Sequence, residues 1–212
     1  SGDAERISSP SSPKNLGVPR CAPGGGYLAY SANIGDIWAL FVTDFSSTVQ
    51  IIPEDGYISG YASWSLQGMD FLFQVITQEN YENEIYHWIG DLSSEQYERM
   101  DRGANPSLSP DGSRMIYSCK TDGNDRTLCL ANLDGSNVTE LTKIIRIRVP
   151  GVGWSIQPAS AWSADGGWIY FASAVDGDWD IYRIRPNGND LQNLTEDWGS
   201  SNEVNPTLNW QN

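Results

Sequence analysis

The sequence predicts an all-β protein assembled from a repeated unit of short strands. Three Asp-Gly pairs separate short apolar runs within residues 105–142 (NPSLSPDGSRMIYSCKTDGNDRTLCLANLDGSNVTELT), and the same layout returns within residues 159–195 (ASAWSADGGWIYFASAVDGDWDIYRIRPNGNDLQNLT). Asp-Gly between alternating apolar residues is a strong β-hairpin signal, because glycine tolerates the positive φ that tight turns need. Apolar residues at the spacing of an amphipathic helix form no convincing pattern.

The repeat period identifies the kind of all-β fold. Each copy has a glycine, an aromatic residue and an aliphatic residue in matching places, and adjacent copies lie 43 to 54 residues apart. The matched sets are Gly25, Tyr30 and Leu40; Gly68, Phe73 and Ile85; Gly112, Tyr117 and Leu128; and Gly166, Phe171 and Ile181. A repeat of this length with four short strands per unit is typical of a β-propeller. The predicted fold is therefore a β-propeller with four blades of four antiparallel strands.

The two complete units predict four strands each, named a to d in chain order. Strand a is predicted at 106–109 and 158–163, and strand b at 115–119 and 169–173. Strand c is predicted at 127–133 and 180–185, and strand d at 138–142 and 191–195. The first unit has no predicted strand a, and NPTLN at 205–209 repeats the NPSLS of 105–109. Residues 206–210 are therefore predicted to complete the first blade, closing the ring and removing an unpaired sheet edge.

The predicted domain organisation follows from these units. Residues 1–20 are rich in serine and proline and read as a linker or N-terminal arm. Residues 21–212 form a single propeller domain, with blades at about 21–60 plus 205–212, 61–104, 105–157 and 158–204. The alternative is a homodimer in which two four-bladed halves form one ring, since four blades are the lower limit for a propeller.

The segments 107–142 and 161–195 resemble the repeat of TolB-like β-propellers. In that family a Trp/Leu-Ser-Pro-Asp-Gly turn precedes an Ile-x-Phe strand, a Ser-x-x-Asp-Gly loop, an Asp-Ile-Tyr strand and a final Leu-Thr. The second unit departs from the pattern, with Ser-Leu-Gln-Gly at 65–68. Such repeats occur in bacterial periplasmic translocation proteins, in the non-catalytic propellers of prolyl peptidases and in surface sensors. The resemblance implies the fold and an extracytoplasmic location, periplasmic or at the cell surface.

The composition narrows the classes of partner. A formal net charge of −14 and a pI near 4.2 disfavour nucleic acid, whose backbone an acidic protein repels. The chain has no run of 18 apolar residues, so we expect no membrane insertion of this segment. Among the three cysteines, Cys119 and Cys129 flank one predicted hairpin, and they are either a cross-strand disulfide or two buried thiols.

The residues that carry chemistry predict neither a catalytic centre nor a firm cofactor. His87 is the only histidine, and we interpret it as a polar side chain on a blade face rather than as part of a Ser-His-Asp triad. Asp176, Asp178 and Asp180 have the alternate spacing that begins a calcium loop, but the later glycine and glutamate are absent. Calcium at these three residues is therefore only a weak alternative to no cofactor.

The candidate binding residues lie where the predicted connections are long. One end of the blades has minimal turns (a to b and c to d), and the other has longer connections (b to c and d to the next a); we name these ends the short-turn face and the long-loop face. Long loops on a rigid scaffold usually carry binding residues. The predicted ligand-binding residues are Tyr57, Tyr61, Tyr81, Arg146, Arg148, Trp154, Asp176, Asp178, Trp179 and Trp198.

These features predict a non-catalytic recognition module of a larger bacterial protein, which binds a protein or peptide on the long-loop face. A carbohydrate-binding, lectin-like propeller is the first alternative, because tryptophan and tyrosine beside carboxylates can stack on sugar rings. A polysaccharide-active enzyme such as a lyase is the second alternative.

Overall fold

A computed structural model describes residues 16–17, 19–51, 56–58, 62–90, 92, 97–120, 126–144, 160–173 and 179–196. These residues form four antiparallel sheets, which confirms the predicted all-β propeller fold with four blades. No helix in this part of the chain is long and apolar enough to span a membrane.

Each blade is one sheet of strands that follow one another in the chain. Blade 1 contains β1 (Arg20–Cys21), β2 (Leu28–Ile34), β3 (Ile37–Thr43) and β4 (Thr48–Ile51). Blade 2 contains β5 (Gly56–Ile58), β6 (Ser63–Trp64), β7 (Asp70–Thr77), β8 (Asn83–Ile89) and β9 (Tyr97–Arg102). Blade 3 contains β10 (Ala104–Leu108), β11 (Arg114–Lys120), β12 (Arg126–Asn132) and β13 (Thr139–Ile144). Blade 4 contains β14 (Ser160–Trp162), β15 (Ile169–Ser173), β16 (Asp180–Ile184) and β17 (Gln192–Asn193).

Strands b and c of the last two blades begin and end within one residue of their predicted positions. The turns that set their register have the expected conformation. Gly112 and Gly135 have φ of 72° and 78°, and the amide of Gly112 donates to the carbonyl of Ser109 at 2.9 Å. Gly68 keeps the same conformation, with φ of 68°, although its turn lacks the aspartate.

The inner strand of blade 1 differs from the prediction. The first unit was expected to lack a strand a, but β1 pairs with β2 through Arg20 opposite Ala29, and Leu16 forms a further bridge with Ala32. That prediction was wrong because strand pairing needs only backbone groups. A short segment without alternating apolar residues can therefore form hydrogen bonds with the edge of β2. The predicted closing strand, 206–210, lies outside the described residues.

The core consists of apolar clusters between neighbouring blades. Because successive side chains of a strand point to opposite faces, each inner blade buries both of its faces. The first cluster joins blades 1 and 2 and includes Leu40, Val42, Ile51, Phe71, Phe73 and Trp88. The second joins blades 2 and 3 and includes Leu72, Ile85, Met115 and Tyr117. The third joins blades 3 and 4 and includes Ile116, Leu128, Ile169, Phe171 and Tyr182.

A disulfide joins neighbouring strands of blade 3. Cys119 on β11 and Cys129 on β12 are bonded, with their Cα atoms 5.8 Å apart. Of the two alternatives that the sequence left open, the structure has the disulfide. Cys21 is an exposed free thiol.

Candidate functional site

Two adjoining clefts lie at the long-loop face of blades 2 and 3. The first, of about 950 Å³, extends along β7, β8 and β9 from the 78–82 turn to Tyr97. The second, of about 750 Å³, is bordered by β9, β11 and β12. Asn80, Glu82 and Arg102 line both clefts, so the turn at 78–82 and the end of β9 form a ridge between them.

The 78–82 turn is held by a residue that precedes it. The amide of Thr77 donates to the carbonyl of Glu82 at 2.9 Å, and the Thr77 hydroxyl accepts from the amide of Glu82 at 3.1 Å. The amide of Tyr81 donates to the carbonyl of Thr77 at 3.1 Å. Tyr81 therefore sits at a fixed place with a left-handed φ of 55°, and 74% of its surface is exposed.

The first cleft combines carboxylates with aromatic rings. The Tyr86 hydroxyl donates to Glu84 Oε2 at 3.1 Å, and Arg99 Nε lies 2.9 Å from Glu84 Oε1. The Tyr86 ring stacks on Phe73 at 5.6 Å between centroids and meets Tyr97 edge-on at 5.7 Å. Burial, and then the hydrogen bond to Glu84, raise the pKa of Tyr86 to about 12. The phenol therefore stays a neutral donor at physiological pH.

The ridge carries an exposed ion pair. Arg102 Nη1 lies 3.3 Å from Glu82 Oε2, and the two side chains are 67% and 35% exposed. Exposed pairs of this kind contribute little to stability. Their charges therefore remain accessible to a ligand that crosses the ridge.

The second cleft is bordered by a close contact between blades 2 and 3. The Tyr117 hydroxyl donates a short hydrogen bond to Asp101, and burial together with this bond raises the pKa of Tyr117. A Cβ at Gly103 would overlap the Tyr117 ring, so the backbone can approach only because this residue is glycine. Lys120 and Arg126 add positive charge on the blade 3 side.

A buried amide network lies beneath the ridge. Gln74 Nε2 donates to Asn83 Oδ1 at 2.7 Å, and the amide of Asn105 donates to Gln74 Oε1 at 2.8 Å. The amide of Gly103 donates to the carbonyl of Asn83 at 2.9 Å. Gln74 lies within a strand, because β7 continues to Thr77 and only residues 78–82 connect it to β8.

Three of the ten predicted ligand-binding residues lie in the described part of the chain. Tyr81 is on the long-loop face as predicted. Tyr57 lies in β5, opposite Ile76, and not in the predicted loop. Trp179 is only 8% exposed and packs in a cluster with Ala172 and Ile181, so its ring fills the protein interior. The other seven lie outside the described residues: Tyr61, Arg146, Arg148, Trp154, Asp176, Asp178 and Trp198.

Asp180, the described member of the suggested calcium group, is engaged within blade 4. Its Oδ1 accepts from the Thr195 hydroxyl at 2.7 Å, and its Oδ2 accepts from Asn193 Nδ2 at 2.9 Å. In the described ranges no three histidine, cysteine, aspartate or glutamate residues are grouped as metal ligands. Asp176 and Asp178 lie outside these ranges.

His87 is part of the packing between blades. It is 7% exposed, and its Nε2 lies 2.9 Å from Asp70 Oδ2 on the neighbouring strand. Burial raises the pKa of Asp70, but hydrogen bonds, chiefly with His87, lower it by more, so the carboxyl titrates below its usual range. The contact joins β7 to β8 within blade 2, and neither side chain lines either cleft.

Comparison with solved structures identifies the fold. No family model and no curated protein sequence matches the chain. TolB from Acinetobacter baumannii is 20% identical, with a TM-score of 0.59 over 87% of this chain and 42% of that chain. A putative TolB from Agrobacterium tumefaciens is 19% identical, with a TM-score of 0.66 over 86% and 62%.

An oligogalacturonate lyase in complex with manganese is 15% identical, with a TM-score of 0.63 over 89% of this chain and 55% of that chain. The chain thus spans between about two-fifths and three-fifths of the length of these structures. At such identities the likeness concerns architecture alone. The chain has a TolB-like β-propeller fold.

Proposed function

We propose that this protein is a non-catalytic recognition module that binds a protein or peptide segment across the long-loop face of blades 2 and 3. The observation that carries the proposal is Tyr81, an exposed aromatic side chain held by a fixed turn between two polar clefts. Tyrosine is enriched among the residues that dominate protein interfaces, because its large ring has few rotatable bonds. A turn that is already ordered reduces the entropy lost on binding.

The proposal of a non-catalytic role rests on His87. It is the one histidine of the chain, it is buried, and its Nε2 is occupied by Asp70. A general base must reach the proton that it abstracts, so His87 is a poor candidate for that role. The resemblance to periplasmic translocation proteins supports an extracytoplasmic location for the module.

The test is selection of binders from a displayed library of random peptides, using the full chain as bait. Tyr81→Gly removes the ring and suits the left-handed backbone. We expect it to weaken the selected peptides by about tenfold or more, the loss typical of a central interface tyrosine. The matched control is Phe45→Gly, because Phe45 is also exposed (54%) and left-handed (φ 71°) but lies on the short-turn face.

Equal affinity of the wild type and Tyr81→Gly for the selected peptides would contradict the proposed site. Loss of binding in both glycine variants, with the circular dichroism spectrum of each unchanged, would also contradict it, because binding would then not be specific to the long-loop face.

Carbohydrate binding is the second candidate. It is favoured because Asn80 and Glu82 flank Tyr81 on the ridge. An exposed aromatic ring beside amide and carboxylate groups can stack on a sugar and bind its hydroxyls. A glycan array probed with the wild type and both glycine variants separates the two candidates. Glycan binding that requires Tyr81, with no peptide selected, would replace the peptide proposal by a lectin-like function.

A further inference from the structure

We propose that the first cleft is the subsite for a cationic side chain, lysine or arginine, of the bound protein segment. This inference rests on the proposed function, and it specifies the chemistry of the partner at one place on the long-loop face.

The charges that line the first cleft are predominantly negative. Glu79, Glu82 and Glu84 contribute three carboxylates, and Arg102 is the one basic residue of the lining. Arg102 is already paired with Glu82. Among the described residues Glu79 has no hydrogen-bond or ion-pair partner, and it is exposed. A carboxylate without a partner at the rim favours a positively charged guest over a neutral or negative one.

The interior of the cleft is also suited to a cation. The rings of Tyr86 and Tyr97 line it. An aromatic ring can pack on the alkyl stem of lysine or arginine, and its face attracts a positive charge. Arg99 and the Tyr86 hydroxyl hold the Glu84 carboxylate in place. A carboxylate has about four lone-pair positions, so Glu84 keeps acceptor capacity after these two contacts.

The second cleft shows that this preference is local. Its lining has three basic residues, Arg102, Lys120 and Arg126, against three acidic residues, Glu82, Asp101 and Glu140. The lining of the second cleft is thus balanced, whereas the first keeps one carboxylate without an ion-pair partner among the described residues, Glu79, after Glu82 pairs with Arg102 and Glu84 pairs with Arg99. The overall charge of −14 additionally steers basic partners toward the molecule.

The test uses four libraries of displayed peptides that share random flanks and differ in one fixed central residue: lysine, arginine, glutamate or leucine. With the full wild-type chain as bait, we expect the lysine and arginine libraries to be enriched at least fivefold over the leucine library, and the glutamate library to be depleted. Glu79→Lys should abolish the enrichment, and Glu79→Gln should reduce it. Raising the salt concentration should weaken it, because the rim is open to solvent.

The matched control is Glu98→Lys, the same charge reversal at an exposed glutamate of β9 that lines neither cleft. It should leave the lysine and arginine enrichment at its wild-type level. Circular dichroism melting of each variant verifies that the fold is kept.

The outcomes separate this inference from the proposed function. Tyr81-dependent selection of leucine and glutamate peptides, without lysine or arginine enrichment, overturns the cationic subsite and leaves the proposed function in place. Cationic enrichment that survives Glu79→Lys overturns the assignment to the first cleft. Failure of every library to bind the wild type overturns both.

Discussion

The two ends of the same strands are held together in different ways. At the short-turn face, the turns are closed by their own side chains: Asp111 accepts from the hydroxyl of Ser109 at 2.6 Å and from the amide of Ser113 at 3.0 Å. At the long-loop face, Thr77 and Asn80 close the 78–82 turn by similar bonds, and the buried amide of Gln74 adds support beneath it. On the short-turn face, the polar groups of the turns form hydrogen bonds with one another. The long-loop face leaves Tyr81 and several charges available to a partner.

The largest effect on stability should come from the support beneath the long-loop face. Gln74→Leu removes the donor to Asn83 Oδ1 and the side-chain acceptor of the Asn105 amide, and Gln74 and Asn83 are buried. A buried polar group that loses its partner costs about 1–3 kcal/mol, so we expect the free energy of unfolding to fall by about that amount. Urea denaturation followed by tryptophan fluorescence measures this change.

Gln67→Leu is the matched control for Gln74→Leu. Gln67 is an exposed glutamine in a tight turn of the short-turn face. Exposed substitutions away from special features usually change stability by less than about 0.5 kcal/mol. Equal effects of the two glutamine variants would show that the long-loop face is not held from beneath.

A smaller effect should come from the turn aspartates of the short-turn face. Asp111→Ala removes an acceptor that serves Ser109 and Ser113, and we expect a loss of about 1 kcal/mol. Asp36→Ala is the control, since Asp36 is an exposed aspartate in the β2–β3 turn of the long-loop face. Its expected effect is less than about 0.5 kcal/mol.

The Asp111 contribution should also depend on pH. Hydrogen bonds from Ser109 and Ser113 lower the pKa of Asp111 to about 2 in the folded protein, below the value of about 3.9 expected for the unfolded chain. A lowered folded-state pKa means that the stabilisation is complete above about pH 4 and is lost as the pH falls toward 2. The stability difference between wild type and Asp111→Ala should therefore shrink across this window. A constant difference would contradict this account of the turn.

Two buried serines of blades 3 and 4 contrast with the Gln74 network, whose polar groups are hydrogen-bonded. The hydroxyls of Ser118 and Ser173, near the long-loop ends of β11 and β15, are buried and have no hydrogen-bond partner among the described residues. Replacing either serine by alanine removes an unsatisfied group, so stability should rise by up to about 1 kcal/mol. Ser109→Ala is the control and should destabilise, because this buried hydroxyl donates to Asp111 and accepts from the amide of Arg114. Destabilisation by Ser173→Ala would point to a bound water.

The blades could be predicted from the sequence where turn chemistry is explicit. Asp111-Gly112 and Asp134-Gly135 fix the ends of strands, and β15 has the predicted bounds. The inner strand of blade 1 was missed because Arg20–Cys21 carries no alternating pattern. The Gln74 network could not be predicted, because a polar residue near the end of a strand has the sequence pattern of a loop. Its partner Asn105 lies 31 residues away in the chain.

The predicted binding residues show the same difference between what the sequence specifies and what tertiary packing decides. Tyr81 could be placed on the long-loop face because a turn between two strongly alternating strands has to lie at the end of the sheet. The burial of Trp179 could not be predicted, since its ring packs on Ala172 across a hairpin whose register the sequence leaves open. Loop position is thus readable from strand boundaries, whereas exposure depends on tertiary packing.

The smallest expected change in stability bears most directly on the comparison between the faces. Tyr81 and Phe45 both hold a left-handed φ, a conformation that costs a non-glycine residue about 1 kcal/mol. Tyr81→Gly and Phe45→Gly should therefore each raise the free energy of unfolding by up to about 0.5 kcal/mol, less than the full strain because the unfolded chain gains freedom. Thermal melting measures both. If Tyr81→Gly is at least as stable as wild type and loses its peptides while Phe45→Gly keeps them, the Tyr81 ring serves binding and not the fold. If both variants lose stability, each ring packs on the fold and the two faces are alike.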